Sequence, residues 1–341
     1  MTMRPRPLLG IFRALAVATL LGLGACAPTV IGLGPTSQEA VLDADRIIAR
    51  DGAILPMTVW RTAAAPRAVI IALHGFTDYS NAFALPASGW AAQGIQTYAY
   101  DQRGFGRGPN RGRWAGNEAL VADAGDAFAL LRARHRDTPI YVLGESMGGA
   151  VAMIAASTGA FDSAQGVILV APAVRGSEAL GSFATGTLRT LANAAPWLSG
   201  PTGAAGIRPT DNIAMLRALS RDPLILRNPR VDMTWGLVQL MDEAVAAAPA
   251  LRLPTLVLVG AHDILIPDGA MMRTLARIPI GGAPPRVAVY DNGWHMLLRD
   301  LDAARVQRDI AHWVTARGGD RDQPLPSGAD RNGLLAQRLP R

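Results

Sequence analysis

Short, continuous apolar runs recur along the chain, separated by stretches in which apolar residues follow a helical spacing. A continuous run, unlike an alternating one, is typical of a strand buried on both faces, as in a parallel sheet. Six continuous runs predict strands: "AVIIALHG" (68–75), "IQTYAYD" (95–101), "PIYVLGES" (139–146), "GVILVAPA" (166–173), "TLVLVGAHD" (255–263) and "RVAVYDNGWH" (286–295). One further run, "MTVWR" (57–61), alternates and predicts an edge strand.

The stretches between these runs predict helices. Residues 117–135 place apolar side chains such as Leu120 and Leu131 at helical spacing and end in basic residues. Residues 268–278 and 302–317 show a similar pattern. This alternation of strands and helices predicts an α/β domain with an open, mostly parallel sheet flanked by helices.

One interval, residues 174–250, interrupts the alternation, because it contains helical patterns and no convincing strand. The clearest pattern is "VDMTWGLVQLMDEAVAAA" (231–248). The interval is too long for a single crossover. We therefore predict a helical lid inserted over the strand ends, which divides the core into residues 46–173 and 251–317. The alternative is a set of helices packed into the main domain.

Both ends of the chain differ from this domain. The apolar run 14–24 is short enough for a signal peptide, and the residues before Cys26, "LGA", resemble the lipobox of bacterial lipoproteins. We predict a signal peptide over 1–25, a lipidated Cys26 and an anchor and tether over 26–45, which place the protein on the bacterial cell envelope. The alternative is an ordinary secretory signal with an incidental cysteine. The polar tail 318–341 is predicted to be disordered.

The composition of the chain excludes several classes of function and of site. The formal net charge of +6 is dispersed, and half of that excess lies in the leader as Arg4, Arg6 and Arg13, so we expect no nucleic-acid partner. The chain has no lysine, which excludes Ser–Lys dyads, Schiff-base chemistry and the P-loop lysine. Its one cysteine excludes an intrachain disulfide and a cysteine-based zinc site. We expect neither a metal nor a cofactor.

The stretch "GESMG" (144–148) fits the G-x-S-x-G pattern, in which a serine occupies a sharp turn between a strand and a helix. A predicted strand precedes it, and "GGAVAMIAAS" after it predicts a helix. This context favours Ser146 as a nucleophile. The alternative is an ordinary serine in a turn of small residues.

A serine nucleophile needs a histidine base. In folds with such an elbow the acid and then the base follow the serine along the chain, with the base after the last strand. Of the five histidines, His295 alone follows the last predicted strand closely, in "YDNGWHML". The acid is predicted to be Asp263, which ends the strand "TLVLVGAHD". Asp291 and Asp268 are the other candidates for the acid.

The developing oxyanion of acyl transfer needs two N–H donors. We predict the backbone amides of Met147, directly after the nucleophile, and of Phe76, in the loop after "IIALHG". The Gly- and Arg-rich segment 100–116 suggests phosphate binding but lacks a P-loop pattern. Asp101 and Arg103 are predicted to tie that segment together through hydrogen bonds.

Five motifs together resemble the monoacylglycerol-lipase and lysophospholipase-like group of α/β-hydrolases: "LHGFTDYS", "YDQRGFGRG", "GESMGGAVA", "VGAHDILIP" and "DNGWHML". The resemblance extends over about residues 46–317. It implies an α/β-hydrolase fold with a helical lid, and the roles of nucleophile, acid and base for Ser146, Asp263 and His295.

The resemblance also implies hydrolysis of carboxylic esters, with a monoacylglycerol or a lysophospholipid as the small-molecule substrate. Apolar and methionine side chains in 174–250 either line an acyl pocket or pack the lid onto the core. An aminopeptidase or a cofactor-free haloperoxidase has the same skeleton. A non-catalytic lipoprotein that uses the fold for binding is the alternative from another functional class.

Overall fold

This computed structural model describes residues 28, 30–200, 208–279, 284–316 and 323–331. The predicted signal peptide, the predicted lipidation site Cys26 and much of the predicted tail lie outside the described residues. None of the helices within the described ranges is long and apolar enough to cross a membrane.

The core is a nine-stranded sheet with the order β1-β2-β3-β5-β4-β6-β7-β8-β9. Strands β4 to β9 are parallel to one another, and β1 to β3 are added antiparallel beside β5. Each of the six continuous apolar runs forms one of the parallel strands, as predicted. The strands are β1 (Val41–Asp43), β2 (Arg46–Ile48), β3 (Ile54–Trp60), β4 (Ala68–Leu73), β5 (Ile95–Tyr100), β6 (Ile140–Glu145), β7 (Gly166–Val170), β8 (Thr255–Gly260) and β9 (Arg286–Tyr290).

Helices cover both faces of the sheet, which explains the continuous apolar runs. Val69 and Ile71 of β4 pack on one face, and Ile70 between them packs on the other. α2 and α3 cover the first face, and α1 and α9 cover the second. The helices are α1 (Ala84–Ala91), α2 (Asn117–Arg134), α3 (Met147–Ser157), α4 (Gly176–Leu180), α5 (Ser182–Ala194), α6 (Ile213–Arg221), α7 (Val231–Ala247), α8 (Asp268–Leu275) and α9 (Ala303–Thr315).

The predicted edge strand is not at the edge. β3 pairs with β5 on one side and with β2 on the other, so the hairpin of β1 and β2 forms the edge instead. This hairpin includes residues 41–43, which the sequence assigned to the tether. Earlier residues of the tether also contact the domain, because Ile31 N–H donates to Trp114 O at 3.0 Å. The described part of the tether is therefore docked.

In the described residues, the insertion between β7 and β8 contains helices α4 to α7. The buried side chains of Met233 and Leu240 on α7 join the core on the α3 side. Other parts of the insertion contact loops at the carboxyl ends of the strands. Leu226 N–H donates to Thr77 O after β4, and Met296 N–H, after β9, donates to Pro209 O, both at 2.9 Å. The insertion thus combines helices packed into the main domain with segments that lie over the strand ends.

The described part of the tail, residues 323–331, is ordered along β9, where disorder was predicted. Val289 N–H donates to Ala329 O at 2.9 Å, and Arg286 Nε lies 2.6 Å from Asp330 Oδ1. Leu325 is buried. The polar composition of the tail indicates disorder only for a free chain, whereas the open edge of β9 offers unpaired backbone groups to bind.

Candidate active site

Ser146 occupies a strained turn between β6 and α3. Its φ is +51°, in the left-handed region that residues with a side chain rarely adopt. Ser146 N–H donates to Val170 O at 2.9 Å, and Ala173 N–H donates to Ser146 O at 2.9 Å. The end of β7 and the loop after it therefore hold the turn in place, with the hydroxyl at the carboxyl edge of the sheet.

The glycines of the elbow are required by close approaches of the backbone. A Cβ on Gly144 would lie 2.3 Å from Gly148 O, and one on Gly148 would lie 2.0 Å from Leu73 O. Neither position has room for a side chain, since real Cβ atoms essentially never approach a neighbour to within 3.0 Å. Small residues thus let α3 pack directly on β4 and β6 and bring Ser146 beside the loop after β4.

The structure brings Ser146, His295 and Asp263 into one chain of hydrogen bonds. His295 Nε2 lies 2.9 Å from Ser146 Oγ, and His295 Nδ1 lies 2.8 Å from Asp263 Oδ2. Because an ionised carboxylate only accepts hydrogen bonds, Nδ1 carries the proton and Nε2 is free to accept the serine proton. The other carboxylate oxygen, Asp263 Oδ1, accepts from Leu265 N–H at 2.9 Å and Ile266 N–H at 3.1 Å.

The other candidates for acid and base lie elsewhere. The Asp291 side chain is 81% exposed and faces Arg331 at 3.8 Å. Asp268 is the first residue of α8. His135 Nε2 lies 2.8 Å from Tyr98 Oη, and the His262 ring packs against Trp294 with centroids 5.3 Å apart. None of these four side chains is hydrogen-bonded to Ser146.

The loop after β4, residues 74–79, passes directly beside Ser146 and is called the β4 loop below. A Cβ on Gly75 would lie 3.4 Å from Ser146 Cβ. The next residue is Phe76, whose ring packs edge-to-face on Phe105 with centroids 5.6 Å apart. Met147 follows Ser146 and begins α3. Of the two residues predicted to supply oxyanion donors, Met147 thus adjoins the serine in sequence, and Phe76 follows the glycine that lies against it.

His74, which the sequence analysis did not select, fixes the β4 loop from within. Gln102 N–H donates to His74 Nε2 at 3.0 Å, so Nδ1 carries the proton and donates to Gly75 O at 2.9 Å. Gln102 Nε2–H also donates to His74 O at 2.9 Å. Complete burial lowers the pKa of His74, which keeps the imidazole neutral in this arrangement. Its position at the end of a predicted strand, directly before Gly75, was the available signal.

A buried charged cluster that sequence reasoning also missed lies behind the serine. Arg299 Nη2 is 2.7 Å from Asp78 Oδ2 and 3.3 Å from Glu145 Oε2, and all three side chains are at most 10% exposed. Burial raises the pKa of Glu145, and Arg299 opposes this rise. Next to Arg299, burial raises the pKa of Asp300 to about 6. Glu145 inside the elbow motif was a signal in the sequence for this cluster, but nothing in the sequence singled out its partner Arg299.

Asp101 holds the Gly- and Arg-rich segment together as predicted, whereas Arg103 binds the segment to other parts of the chain. Asp101 accepts from Ser80 N–H at 3.0 Å and from Arg107 N–H at 2.8 Å. The guanidinium of Arg103 pairs with two carboxylates outside the segment, Asp51 and Asp123, each at 2.7 Å. Arg103 is therefore a buried structural cation. Within the described ranges, no group of three or more His, Cys, Asp or Glu side chains is placed to hold a metal ion.

A mostly parallel sheet with a strained serine between a strand and a helix defines an α/β-hydrolase when, as here, a histidine from a later loop bonds the serine and an aspartate from another loop bonds that histidine. A family model described as serine aminopeptidase, S33 (Hydrolase_4) matches residues 64–302, well over half of the chain. The chain belongs to this family, and the predicted fold class is confirmed.

Curated and solved proteins agree with this membership. The chain is 25% identical to the monoacylglycerol lipase of Mycolicibacterium smegmatis, over 76% of this chain and 91% of that protein. It is also 25% identical to human monoglyceride lipase, over 81% and 91%. A solved soluble variant of the Saccharomyces cerevisiae monoglyceride lipase superposes with a TM-score of 0.69 at 17% identity, over 85% and 97%. The resemblance to this group is confirmed, and the chain is a carboxylic ester hydrolase.

Proposed function

We propose that this chain hydrolyses monoacylglycerols through a covalent acyl-enzyme on Ser146. The observation that carries the proposal is the unbroken hydrogen-bond chain from Ser146 Oγ through His295 to Asp263, with distances of 2.9 and 2.8 Å. A serine hydroxyl becomes an effective nucleophile only when an adjacent base takes its proton. Here that base is already in hydrogen-bond contact with the hydroxyl.

In the acylation half-reaction Ser146 Oγ attacks the ester carbonyl while His295 Nε2 takes the hydroxyl proton. The backbone N–H groups of Phe76 and Met147 stabilise the oxyanion of the tetrahedral intermediate. Asp263 holds the imidazole in the required tautomer and stabilises the imidazolium, without itself taking the proton. Collapse of the intermediate breaks the ester C–O bond, and His295 protonates the departing glycerol oxygen.

Deacylation repeats these steps with water as the nucleophile. His295 Nε2 takes a proton from the water, which attacks the acyl carbonyl on Ser146 Oγ. The second tetrahedral intermediate uses the same N–H donors, and its collapse returns the proton from His295 to Ser146. The fatty acid leaves, and the resting hydrogen bonds are restored.

The insertion supports an acyl chain as the substrate's apolar part. Leu224, Ile225 and Leu226 are half-buried, and Leu226 N–H donates to Thr77 O, one residue after Phe76. Leu226, the last of three consecutive aliphatic residues, is therefore bound to the loop that adjoins Ser146. A water-excluding apolar wall with a few polar groups is typical of ligand pockets. The bacterial and human relatives are named monoacylglycerol lipase and monoglyceride lipase, which supports the same substrate class.

The location of the enzyme is part of this proposal. The motif at Cys26 supports a lipid anchor, and such an anchor on the cell envelope would hold the hydrolase beside membrane-derived lipid esters. The support here comes from the sequence alone. Metabolic labelling with a clickable palmitate analogue, compared between the wild type and Cys26→Ala, tests it. Labelling that persists in the variant would contradict lipidation at Cys26.

The substrate proposal is tested with the full-length chain in detergent. Initial rates are measured on p-nitrophenyl acetate, butyrate, octanoate and palmitate, and on 1-monooleoylglycerol. Ser146→Ala is expected to abolish turnover of all of them. The matched control is Ser88→Ala, because Ser88 is an exposed serine on α1 whose hydroxyl donates to Ala84 O in the same helix. This control is expected to keep the wild-type rate.

Rates that rise with acyl length, together with turnover of monooleoylglycerol, are the expected result. A preference for lysophosphatidylcholine over monooleoylglycerol would replace the proposed head group. Turnover of aminoacyl p-nitroanilides alone would indicate an aminopeptidase. A chain that neither turns over these substrates nor reacts with a fluorophosphonate probe would be a non-catalytic binding protein.

A further inference from the structure

We propose that Arg299 is a positioning residue, which fastens the β4 loop and the elbow to the loop that carries His295. The proposal rests on the proposed function only in taking Ser146, His295 and the Phe76 amide as reacting groups. It does not depend on the identity of the ester substrate.

The contacts of Arg299 reach two other parts of the site through a single nitrogen. Nη2 lies 2.7 Å from Asp78 Oδ2 and 3.3 Å from Glu145 Oε2. The Arg299 side chain is only 6% exposed, so these charges interact in a medium that screens them far less than water does. Arg299 Nε has no hydrogen-bond partner among the described residues.

Asp78 links the cation to the β4 loop. Asp78 N–H donates to Gly75 O at 3.3 Å, and Asp78 Oδ1 accepts from Tyr79 N–H at 2.9 Å. The carboxylate is therefore a fixed part of this loop. A displacement of Asp78 would therefore also displace Gly75, whose neighbour Phe76 supplies one proposed oxyanion donor.

Glu145 links the cation to the nucleophile, because it directly precedes Ser146. Arg299 itself belongs to the loop after β9, four residues beyond His295, where its N–H donates to Met296 O at 2.8 Å. Arg299 O also accepts from Asn212 Nδ2–H of the insertion at 3.0 Å. One residue thus connects the segments that carry the nucleophile, the base and an oxyanion donor.

These segments are far apart in the sequence, so their relative placement depends on such contacts. Asp78 and Glu145 lie 221 and 154 residues before Arg299. Productive acyl transfer needs the reacting atoms within a narrow range, and a misplacement of about 1 Å can cost on the order of 100-fold in rate. Losing Arg299 would also leave two buried carboxylates facing each other without a counter-charge. Their repulsion would separate the β4 loop from the elbow.

The test compares Arg299→Met with Arg299→Lys. Because one nitrogen binds both carboxylates and Nε has no partner among the described residues, a lysine ammonium can replace the guanidinium here. The matched control is Arg305→Met, since Arg305 follows in the same region but has a 40% exposed side chain paired with Asp302. We measure kcat and KM on p-nitrophenyl butyrate, the rate of fluorophosphonate labelling, and the melting temperature.

We expect Arg299→Met to lower kcat and the labelling rate by about 10- to 100-fold, with KM changed by less than about threefold. Arg299→Lys should remain within about threefold of the wild type, and Arg305→Met should be unchanged. A folded Arg299→Met with wild-type kcat would overturn the proposal. So would an Arg299→Lys that is as slow as Arg299→Met.

A purely structural role is separated by a triple variant, Arg299→Met with Asp78→Asn and Glu145→Gln. Neutral isosteres remove the buried uncompensated charge, so the melting temperature should recover while kcat stays low. Recovery of kcat together with the melting temperature would show that Arg299 only stabilises the fold. The labelling rate reports on Ser146 whether or not a given ester is turned over, so a failure of the substrate proposal remains distinguishable.

Discussion

Replacement of Asp263 by asparagine should disable the candidate site through the tautomer of His295. The two N–H donors of Leu265 and Ile266, at 2.9 and 3.1 Å, face one carboxylate oxygen and require an acceptor. In Asp263→Asn the amide oxygen will stay with them, which turns the amide NH2 group toward His295 Nδ1. Nδ1 must then accept a hydrogen bond, and the imidazole proton moves to Nε2.

A proton on Nε2 points at Ser146 Oγ, at the 2.9 Å contact where the base must accept. The imidazole can then no longer take the serine proton, and the carboxylate charge that stabilises the imidazolium is also lost. The corresponding change in triads of this type lowers kcat by about 10⁴-fold, or roughly 5 kcal/mol of transition-state stabilisation. The melting temperature should change little, because asparagine keeps a hydrogen bond to each of the three partners.

The assay is kcat on p-nitrophenyl butyrate at neutral pH, together with the rate of fluorophosphonate labelling. Asp291→Asn is the control, since Asp291 precedes His295 by four residues but its side chain is 81% exposed. The control should retain the wild-type rate. An Asp263→Asn variant within tenfold of the wild type would refute the assignment, and a slow Asp291→Asn would point to the alternative acid.

Two further predictions concern stability. Gly148→Ala places a Cβ 2.0 Å from Leu73 O and should lower the free energy of unfolding in urea by about 1–3 kcal/mol or more. The control Gly89→Ala, which has open space around it in α1, should raise the free energy of unfolding by about 0.5–1 kcal/mol. Equal effects of the two substitutions would contradict the close approach at Gly148. Burial raises the pKa of Asp300 to about 6 from 3.8, so the folded state binds more protons than the unfolded one between these pH values and stability falls as pH rises through them. Asp300→Asn removes this pH-dependent loss of stability. The free energy of unfolding of the variant, relative to that of the wild type, should therefore rise by about 1–3 kcal/mol from pH 4 to pH 7. A difference in urea unfolding that does not change with pH would contradict the raised pKa of Asp300.

The parallel core could be predicted from sequence because its strands are buried on both faces. Such burial requires continuous apolar runs, and each run of this kind became one of the strands β4 to β9. The order of these strands along the chain also predicted the candidate site. A serine on the elbow, an aspartate after β8 and a histidine after β9 meet at one edge, because the carboxyl ends of parallel strands share that edge.

The edges of the sheet could not be predicted in the same way. β1 and β2 have three residues each, too few for a period to be detected. Residues 323–331 bind β9 through backbone groups and one ion pair, Arg286 with Asp330, and bury only isolated apolar side chains such as Leu325, so their own composition carries no apolar pattern. Both stretches are held in place by their contacts with the rest of the sheet. Sequence patterns of burial therefore describe the centre of this fold better than its borders.

The candidate triad and the Arg299 cluster differ in the same respect. Ser146, Asp263 and His295 are recognisable because chemistry restricts each of them to one residue type at one point of the topology. Arg299 needs only to be a cation within reach of Asp78 and Glu145, and an arginine in a chain of many arginines carries no such restriction. Its importance follows from burial, since two carboxylates that are at most 10% exposed must share one guanidinium nitrogen. Residues that hold a site together are thus identified by their partners in space, whereas residues that react are identified by their order in the chain.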